Sequence, residues 1–243
     1  MIVFMAYLSV ADAAMRLGVG VPRIHQRIAD GSLRAERIGS QWVVDELSLL
    51  RVEERKLAGR PLSARSAWAI IAMSEGDHVA LSELASVERA RAKERLERLT
   101  ELVAGGANSE ERVRGVAAEI RAAFRNRAGM ERCQAAASDL PSLREDVRWE
   151  SLISTAVSGI ASMEVEGYVE PANAKSLERD FLLRPAAENA NVLIHVLPAG
   201  QKAYPESKLL LAADLADQRG PREELRAVEL LQEVADDFAG GSR

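Results

Sequence analysis

The chain is poor in several residue types, and each shortage excludes a class of protein. Its one cysteine, Cys133, excludes a disulfide framework within the chain and any cysteine-based metal site. No apolar run approaches the length that a membrane span needs, and the apolar residues 1–8 lack the basic segment that begins a signal peptide. We therefore expect a cytoplasmic protein that has no membrane partner.

Residues that carry catalytic chemistry are also scarce. The three histidines His25, His78 and His195 are scattered, and none has a metal-ligating partner at helical spacing. The sequence contains no GxxxxGK[ST], GxGxxG or GxSxG motif. We expect no catalytic residue, no cofactor and no metal, and therefore a protein that is not an enzyme. His195, inside an apolar run, is expected to be a hydrogen-bonded core residue.

The net charge of −5 is unevenly distributed along the chain. Residues 1–66 contain 10 Lys and Arg against 7 Asp and Glu, a net charge of +3. Residues 67–139 contain 11 against 12, and residues 140–243 contain 11 against 18, which gives −1 and −7. Phosphates attract the first segment and repel the last, so nucleic-acid contacts are expected at the N-terminus and protein contacts at the C-terminus.

The segment 7–44 predicts a helix, a glycine turn, a second helix and a hairpin. Ser9 is placed to cap a helix from Val10 to Leu17, and Gly18 suits the left-handed position that closes it. This order of elements is that of a winged helix-turn-helix, a unit that places one helix in the major groove of DNA.

The second helix presents a buried stripe and an opposite polar face. Ile24 and Ile28 define the stripe, and at about 100° per residue the opposite face is centred on Gln26, with Arg23 to one side. Glutamine reads adenine and arginine reads guanine in bidentate fashion, so these two are the expected base contacts. The same helix also supplies the candidates Pro22, His25 and Arg27.

A hairpin follows, with Gly39 and Ser40 between two strand-like runs. A two-residue loop would pair Arg37 with Trp42, whereas a three-residue loop would pair Ile38 with Trp42. We expect the three-residue loop because it gathers the apolar side chains better. Either loop lets polar side chains of the hairpin face a phosphate backbone. The hairpin therefore adds four DNA-binding candidates: Arg34, Arg37, Ser40 and Gln41.

This N-terminal run resembles the excisionase-type helix-turn-helix, a relative of the MerR domain. The matching positions are Leu8-Ser9, Ala13-Ala14, Leu17-Gly18-Val19, Gly31 and Gly39 with Trp42. The sequence departs from the family pattern at Gly20, where a serine cap is usual, and at Val21, where a polar residue is common. The resemblance implies binding to double-stranded DNA.

The middle of the chain reads as helical. Ser63 is placed to cap a helix over 64–73, one or two helices are expected over 81–102, and Ser109 begins a helix that reaches about residue 125. The charged run 88–98 is interpreted as a solvated helix with ion pairs between residues four apart. The alternative for this run is a second DNA-contacting surface.

The last hundred residues mix helix and strand signals. Strands are expected over 166–169 and 191–197, and helices over 151–162 and 222–238, whereas 209–216 fits either class. The inner stripe expected for the last helix is Leu225, Val228, Leu231, Gln232 and Ala235. We predict an α+β protein with a winged helix-turn-helix over 1–58, a helical middle region over 59–139 and a C-terminal α/β domain over 140–243.

Residues 59–240 resemble the antitoxins of the abortive-infection E family. The resemblance is carried by GRPLSARSAWAIIAM, ANVLIHVLP and AADLADQRGPREELRAVELL. It implies a type IV toxin–antitoxin regulator that represses its own operon, binds its promoter or operator as a homodimer, and neutralises a nucleotidyltransferase-like toxin. Two alternatives stay open: a regulator whose C-terminal domain senses a ligand or dimerises, and an excisionase-like recombination accessory protein.

Overall fold

The computed structural model describes residues 7–17, 19–39, 41–45, 48–49, 52, 62–104, 109–153, 165–186 and 189–241. The protein is of mixed α+β class and divides into two compact units, Met1–Arg60 and Pro61–Arg243. The first boundary lies two residues from the predicted one at residue 58. No second division follows residue 139, because helices from both sides of that position share one hydrophobic core.

Among its described residues, the first unit contains helices over Val10–Leu17 and Val21–Ala29 and a three-stranded antiparallel sheet with the order β1-β3-β2. Ala13, Leu17, Ile24 and Val44 are all buried in its small core. The elements are β1 (Tyr7–Ser9), α1 (Val10–Leu17), α2 (Val21–Ala29), β2 (Ala35–Ile38) and β3 (Gln41–Asp45).

Local signals at the helix ends behave as the sequence predicts. The Ser9 hydroxyl accepts a hydrogen bond from the Asp12 backbone N–H at 3.1 Å, so it caps α1. Gly20 precedes α2 without a side-chain cap, and Pro22 occupies the first turn, where its missing N–H costs nothing. Gly18, which is expected to close α1, lies outside the described residues.

The second unit contains eight helices and five strands among the described residues. Ser63 caps the first of these helices and Ser109 the fourth, as predicted. The helices are α3 (Ala64–Ser74), α4 (His78–Ser82), α5 (Ser86–Glu101), α6 (Glu110–Phe124), α7 (Leu140–Arg144), α8 (Pro171–Asp180) and α9 (Lys208–Gln218), and they are followed by an eighth, α10 (Pro221–Gly241).

The strands of the second unit form one mixed sheet with the order β5-β6-β8-β4-β7. Among the described strand pairs of this sheet, β6–β8 alone is parallel, with Val165 opposite Val192. Position 167 on β6 requires glycine because β5 pairs closely beside it. A Cβ at this position would lie 2.5 Å from the Ser151 carbonyl oxygen. The strands are β4 (Gly129–Gln134), β5 (Ser151–Leu152), β6 (Val165–Val169), β7 (Arg184–Pro185) and β8 (Val192–Val196).

The two faces of this sheet lie in different surroundings. Val165, Val169 and Ile194 belong to an apolar cluster that includes Leu143 of α7 and Leu177 of α8. Alternate strand residues point to the opposite face, which is covered by the large helical core. Polar side chains on that second face are therefore buried against helices.

In the C-terminal region two expectations need correction, and one choice that the sequence left open is resolved. The predicted helix over 151–162 begins with strand β5, which pairs with β6, and residues 154–164 lie outside the described residues. The ambiguous segment 209–216 is helical, within α9. In α10, Val228 and Leu231 of the predicted stripe are buried and Gln232 and Ala235 are half-buried, but Leu225 is 43% exposed; the other buried residues of this helix are Ala227, Leu230 and Val234.

The expected strands over 166–169 and 191–197 are confirmed as β6 and β8. Cys133 is buried on β4, and burial raises the pKa of its thiol, as a structural cysteine requires. Among the described helices, none is both long and apolar enough to cross a membrane.

Candidate nucleic-acid interface

The exposed face of α2 carries the predicted base-contacting residues. Ile24 is fully buried and fixes the rotation of the helix, so Pro22, Arg23, His25 and Gln26 are all exposed. This arrangement follows from the helical period, which separates polar positions from the single apolar stripe. The exposed side of α2 therefore presents mostly hydrogen-bonding groups.

Arg23 and Gln26 are brought into direct contact on this face. The Arg23 Nη1 donates a hydrogen bond to Gln26 Oε1 across one helical turn. The contact orients the glutamine amide, whose Nε2 keeps its donors available, and it leaves the other guanidinium N–H groups available too. The pair thus presents a preformed set of donors, the groups that match guanine O6 and N7.

Arg27 lies at the edge of this face. It is half-buried, and its Nε has no hydrogen-bond partner among the described residues. Its backbone carbonyl accepts from the Leu33 N–H at 3.0 Å and so ties the end of α2 to the approach of the hairpin. Arg27 is therefore as much a connection between helix and hairpin as an exposed cation.

The hairpin has a two-residue loop, so the predicted three-residue loop is wrong. Arg37 pairs with Trp42 and Ile38 pairs with Gln41. Gly39 has a φ of +63°, which supplies the positive φ that short hairpin loops require. Turn geometry thus outweighs the gathering of apolar side chains, and Ile38 is left 61% exposed.

This register separates the predicted phosphate contacts. Directly opposed residues share a face, so Arg37 and Trp42 lie on the face that carries the buried Val44, while Gln41 lies on the other face with Ile38. Arg37 and Gln41 are both exposed near the tip of the hairpin. They would therefore meet a ligand from two sides of the hairpin.

The two remaining DNA-binding candidates of the hairpin are Arg34 and Ser40. Arg34 has an exposed side chain at the base of the hairpin, where its backbone N–H donates to the Ser48 hydroxyl at 2.8 Å. Ser40 lies outside the described residues. Asp45 Oδ1 accepts a hydrogen bond from the Ser48 N–H at 3.4 Å.

A cluster of buried polar residues in the second unit was missed from the sequence. The buried polar cluster comprises the buried residues Arg127, Glu166, Tyr168, His195 and Asp214, with half-buried Asp217 and exposed Gln218 at its edge. At its centre, Arg127 Nη2 lies 2.6 Å from Asp214 Oδ1, and Arg127 Nε donates to the Tyr168 hydroxyl at 2.6 Å. Tyr168 in turn donates to Asp214.

The rest of the cluster extends along the sheet. His195 Nε2 donates to Glu166 Oε1 at 2.8 Å, and Gln218 Nε2 donates to Glu166 Oε2 at 3.0 Å. The His195 ring stacks on Tyr168 with centroids 4.6 Å apart. Burial alone would lower the pKa of Arg127, but Tyr168 and the two aspartates raise it well above the ordinary value, so its charge is retained.

Glu166, His195 and Asp214 are close enough to suggest a metal site, because their ligand atoms lie within 4.8 Å of one another. These atoms already accept or donate hydrogen bonds, and the Arg127 guanidinium occupies the position next to Asp214. A cation there would be repelled by Arg127 at short range. The arrangement fits an internal ion-pair network better than a metal centre.

Sequence signals for the cluster exist in retrospect. Asp214 interrupts the apolar run LLLAADLA, and Glu166 and Tyr168 alternate with apolar residues in β6. A charged residue in an apolar run implies a buried partner, although the sequence does not say which one.

Comparison of the chain with protein-family models, with curated proteins and with solved structures gives no match in any of the three.

Proposed function

We propose that residues 7–45 form a winged helix-turn-helix and that the protein is a sequence-specific DNA-binding transcriptional regulator. The observation that supports this most is the exposed Arg23–Gln26 pair on α2, on a helix whose opposite side is locked into the core by Ile24. A major groove about 12 Å wide admits one helix, and these two side chains are of the types that read base edges.

In this proposal the hairpin is the wing and supplies affinity without sequence information. Arg37 at its tip and Arg34 at its base are both exposed, and each adds a contact to phosphate rather than to a base. Pro22, His25, Arg27, Ser40 and Gln41 complete the proposed DNA-binding surface. One recognition helix reads only a few base pairs, so a homodimer on an inverted repeat in its own promoter is the proposed complex.

We further propose that this regulator is the antitoxin of a type IV-like pair, with a nucleotidyltransferase-like toxin as its partner. The support is the resemblance of residues 59–240 to abortive-infection E antitoxins. Co-expression tests it: the toxin encoded beside this gene should arrest growth alone and not with the antitoxin. Continued arrest would remove the antitoxin role and leave the DNA-binding proposal standing.

A second candidate is a regulator that senses a small ligand through the second unit. A groove of about 370 Å³ supports it, which is within the range of small-molecule sites. Trp68, Tyr204 and Gln201 are among the residues that line this groove, together with Arg65 and Glu83. A change in operator affinity caused by a metabolite extract, and abolished by a change at Tyr204, would favour this candidate.

The deciding experiment for DNA binding is fluorescence anisotropy with the duplex that lies upstream of the gene. The full-length protein is titrated against this duplex and a scrambled one over a salt series. We expect tighter binding to the native duplex, and a loss of that preference in Gln26→Ala. Equal affinity for both duplexes would contradict sequence-specific regulation.

A further inference from the structure

Helix α5 separates its exposed charges into two flanks. At about 100° per residue, Arg91, Arg95 and Arg98 fall within about 60° of one another, and Glu94, Glu97 and Glu101 fall in a second band about 90° away. Buried Leu96 faces the core between α3 and α10. We call the first band the arginine flank.

The arginine flank has no acidic partner among the described residues. Arg91 and Arg98 are exposed and Arg95 is half-buried, and none of the three forms a hydrogen bond or ion pair with the part of the chain that the structure describes. Among the described residues of this helix, one ion pair joins residues four apart: Lys93 lies 3.9 Å from Glu97. The expectation of a helix neutralised by pairs four residues apart is therefore wrong for the arginines.

Glu88, the acidic residue that precedes the arginine flank on α5, already accepts hydrogen bonds from other groups. Glu88 accepts from Arg65 at 2.7 and 3.1 Å and from the Ala85 N–H at 2.9 Å. These bonds lower the pKa of Glu88 to about 2. Its charge is thus committed to the start of α5 and to α3, and it does not neutralise Arg91.

Three unpaired arginines in one row carry a cost. Like charges spaced three or four residues apart on a helix destabilise it. Glu94 lies three residues from Arg91 and four from Arg98, so it offsets part of this repulsion, but it forms no ion pair with either arginine. A polyanion would remove it. The row from Arg91 to Arg98 is about 10 Å long, so its three guanidinium groups can each reach a neighbouring phosphate of one DNA strand.

We propose that the arginine flank of α5 is a second DNA-contacting surface, which binds the phosphate backbone without reading sequence. The inference rests on the proposed DNA binding and deepens it, because it assigns part of the affinity to the second unit. Guanidinium groups suit this role, since they form directed, charge-assisted hydrogen bonds to phosphate oxygens.

The test compares three full-length variants with the wild type on the native and scrambled duplexes over a salt series. In the first, Arg91, Arg95 and Arg98 are all changed to glutamine, and in the second the same three are changed to lysine. The third is a matched control that removes three exposed arginines elsewhere: Arg125→Gln, Arg132→Gln and Arg222→Gln. Thermal melts check that each variant folds.

For the glutamine variant we expect weaker binding to both duplexes and an unchanged preference for the native one. The slope of log K against log salt should become less negative by about 2.7, since each phosphate contact contributes about 0.9. The lysine variant should keep the wild-type slope, and the control should stay within about 0.5 of it.

Two results separate the failure of this inference from the failure of the proposed function. If the wild type prefers the native duplex and the glutamine variant keeps the wild-type slope, the arginine flank does not bind DNA, and an acidic protein surface becomes the partner to test. If the wild type shows no salt-dependent binding to either duplex, the proposed function itself falls, and this inference with it.

Discussion

Two exposed arginines of the first unit and two buried arginines of the second show opposite environments for the same side chain. In the first unit Arg23 and Arg37 are exposed. In the second unit Arg127 is buried between Asp214 and Asp217, while Arg121 is buried beside Glu224. The same side chain is left exposed in one case and enclosed by acids in the other, so burial and partners, rather than residue type, indicate which arginines are available to a ligand.

The sharpest way to break this comparison is to remove the buried cation. Arg127→Met leaves Asp214 buried without its partner, so we expect a loss of about 3–5 kcal/mol in the free energy of unfolding of the second unit. Arg226→Met, which removes a cation paired with Glu229 and Glu233 at the surface, should cost about 1 kcal/mol or less. Chemical denaturation measures both, and equal losses would contradict a structural role for the cluster.

The next largest effect is expected at Arg23 and Gln26, the contacting pair on α2. Arg23→Ala or Gln26→Ala should each cost about 1–3 kcal/mol of specific binding to the native duplex. Because the two side chains contact each other, the double variant should lose less than the sum of the single losses. Anisotropy titrations supply the four affinities, and strict additivity would show that the pair does not act as a unit.

A smaller and different effect is expected at the wing. Arg37→Ala should weaken binding to native and scrambled duplexes alike and make the salt slope less negative by about 0.9. Ile38→Ala at the same tip removes no charge and serves as its control for the slope. A change in sequence preference in Arg37→Ala would move this residue from phosphate contact to base contact.

The smallest effect concerns pH and the start of α5. The pKa of Glu88 is lowered from 4.5 to about 2, so its contribution to stability is complete above about pH 4.5 and is lost as the pH falls toward 2. Glu88→Gln should therefore melt below the wild type at pH 7, with the difference shrinking between pH 5 and pH 2. Arg65→Gln removes the same ion pair and should weaken the trend; a constant difference would contradict it.

The sequence predicts most of the local structure of the first unit. Ser9, Pro22 and Ile24 act through neighbours within one helical turn, so caps and the buried face could be read directly from their spacing. The hairpin register could not, because it depends on competition between the Gly39 turn and the packing of Trp42. The apolar pattern favoured one register and the loop geometry selected the other.

The buried polar cluster depends on distant contacts and illustrates the opposite case. Arg127 and Asp214 are 87 positions apart, and Tyr168 joins them from a third element. Periodicity shows that Glu166 and His195 lie within strands, but only the parallel pairing of β6 with β8 brings them to one face of the sheet. The sequence pattern does not indicate which strands pair, so it could not predict that these two residues meet.

The placement of the tryptophans gives each unit an optical signal of its own. Trp42 lies half-buried in the hairpin opposite Arg37, whereas Trp68 is buried and its indole N–H donates to the Arg127 carbonyl at 2.7 Å. Trp149 adds a second, half-buried indole in the second unit. In a Trp149→Phe variant, the fluorescence of Trp42 would report events at the hairpin, and the fluorescence of Trp68 would report the integrity of the buried polar cluster. Ligand binding and unfolding could then be followed separately in one sample.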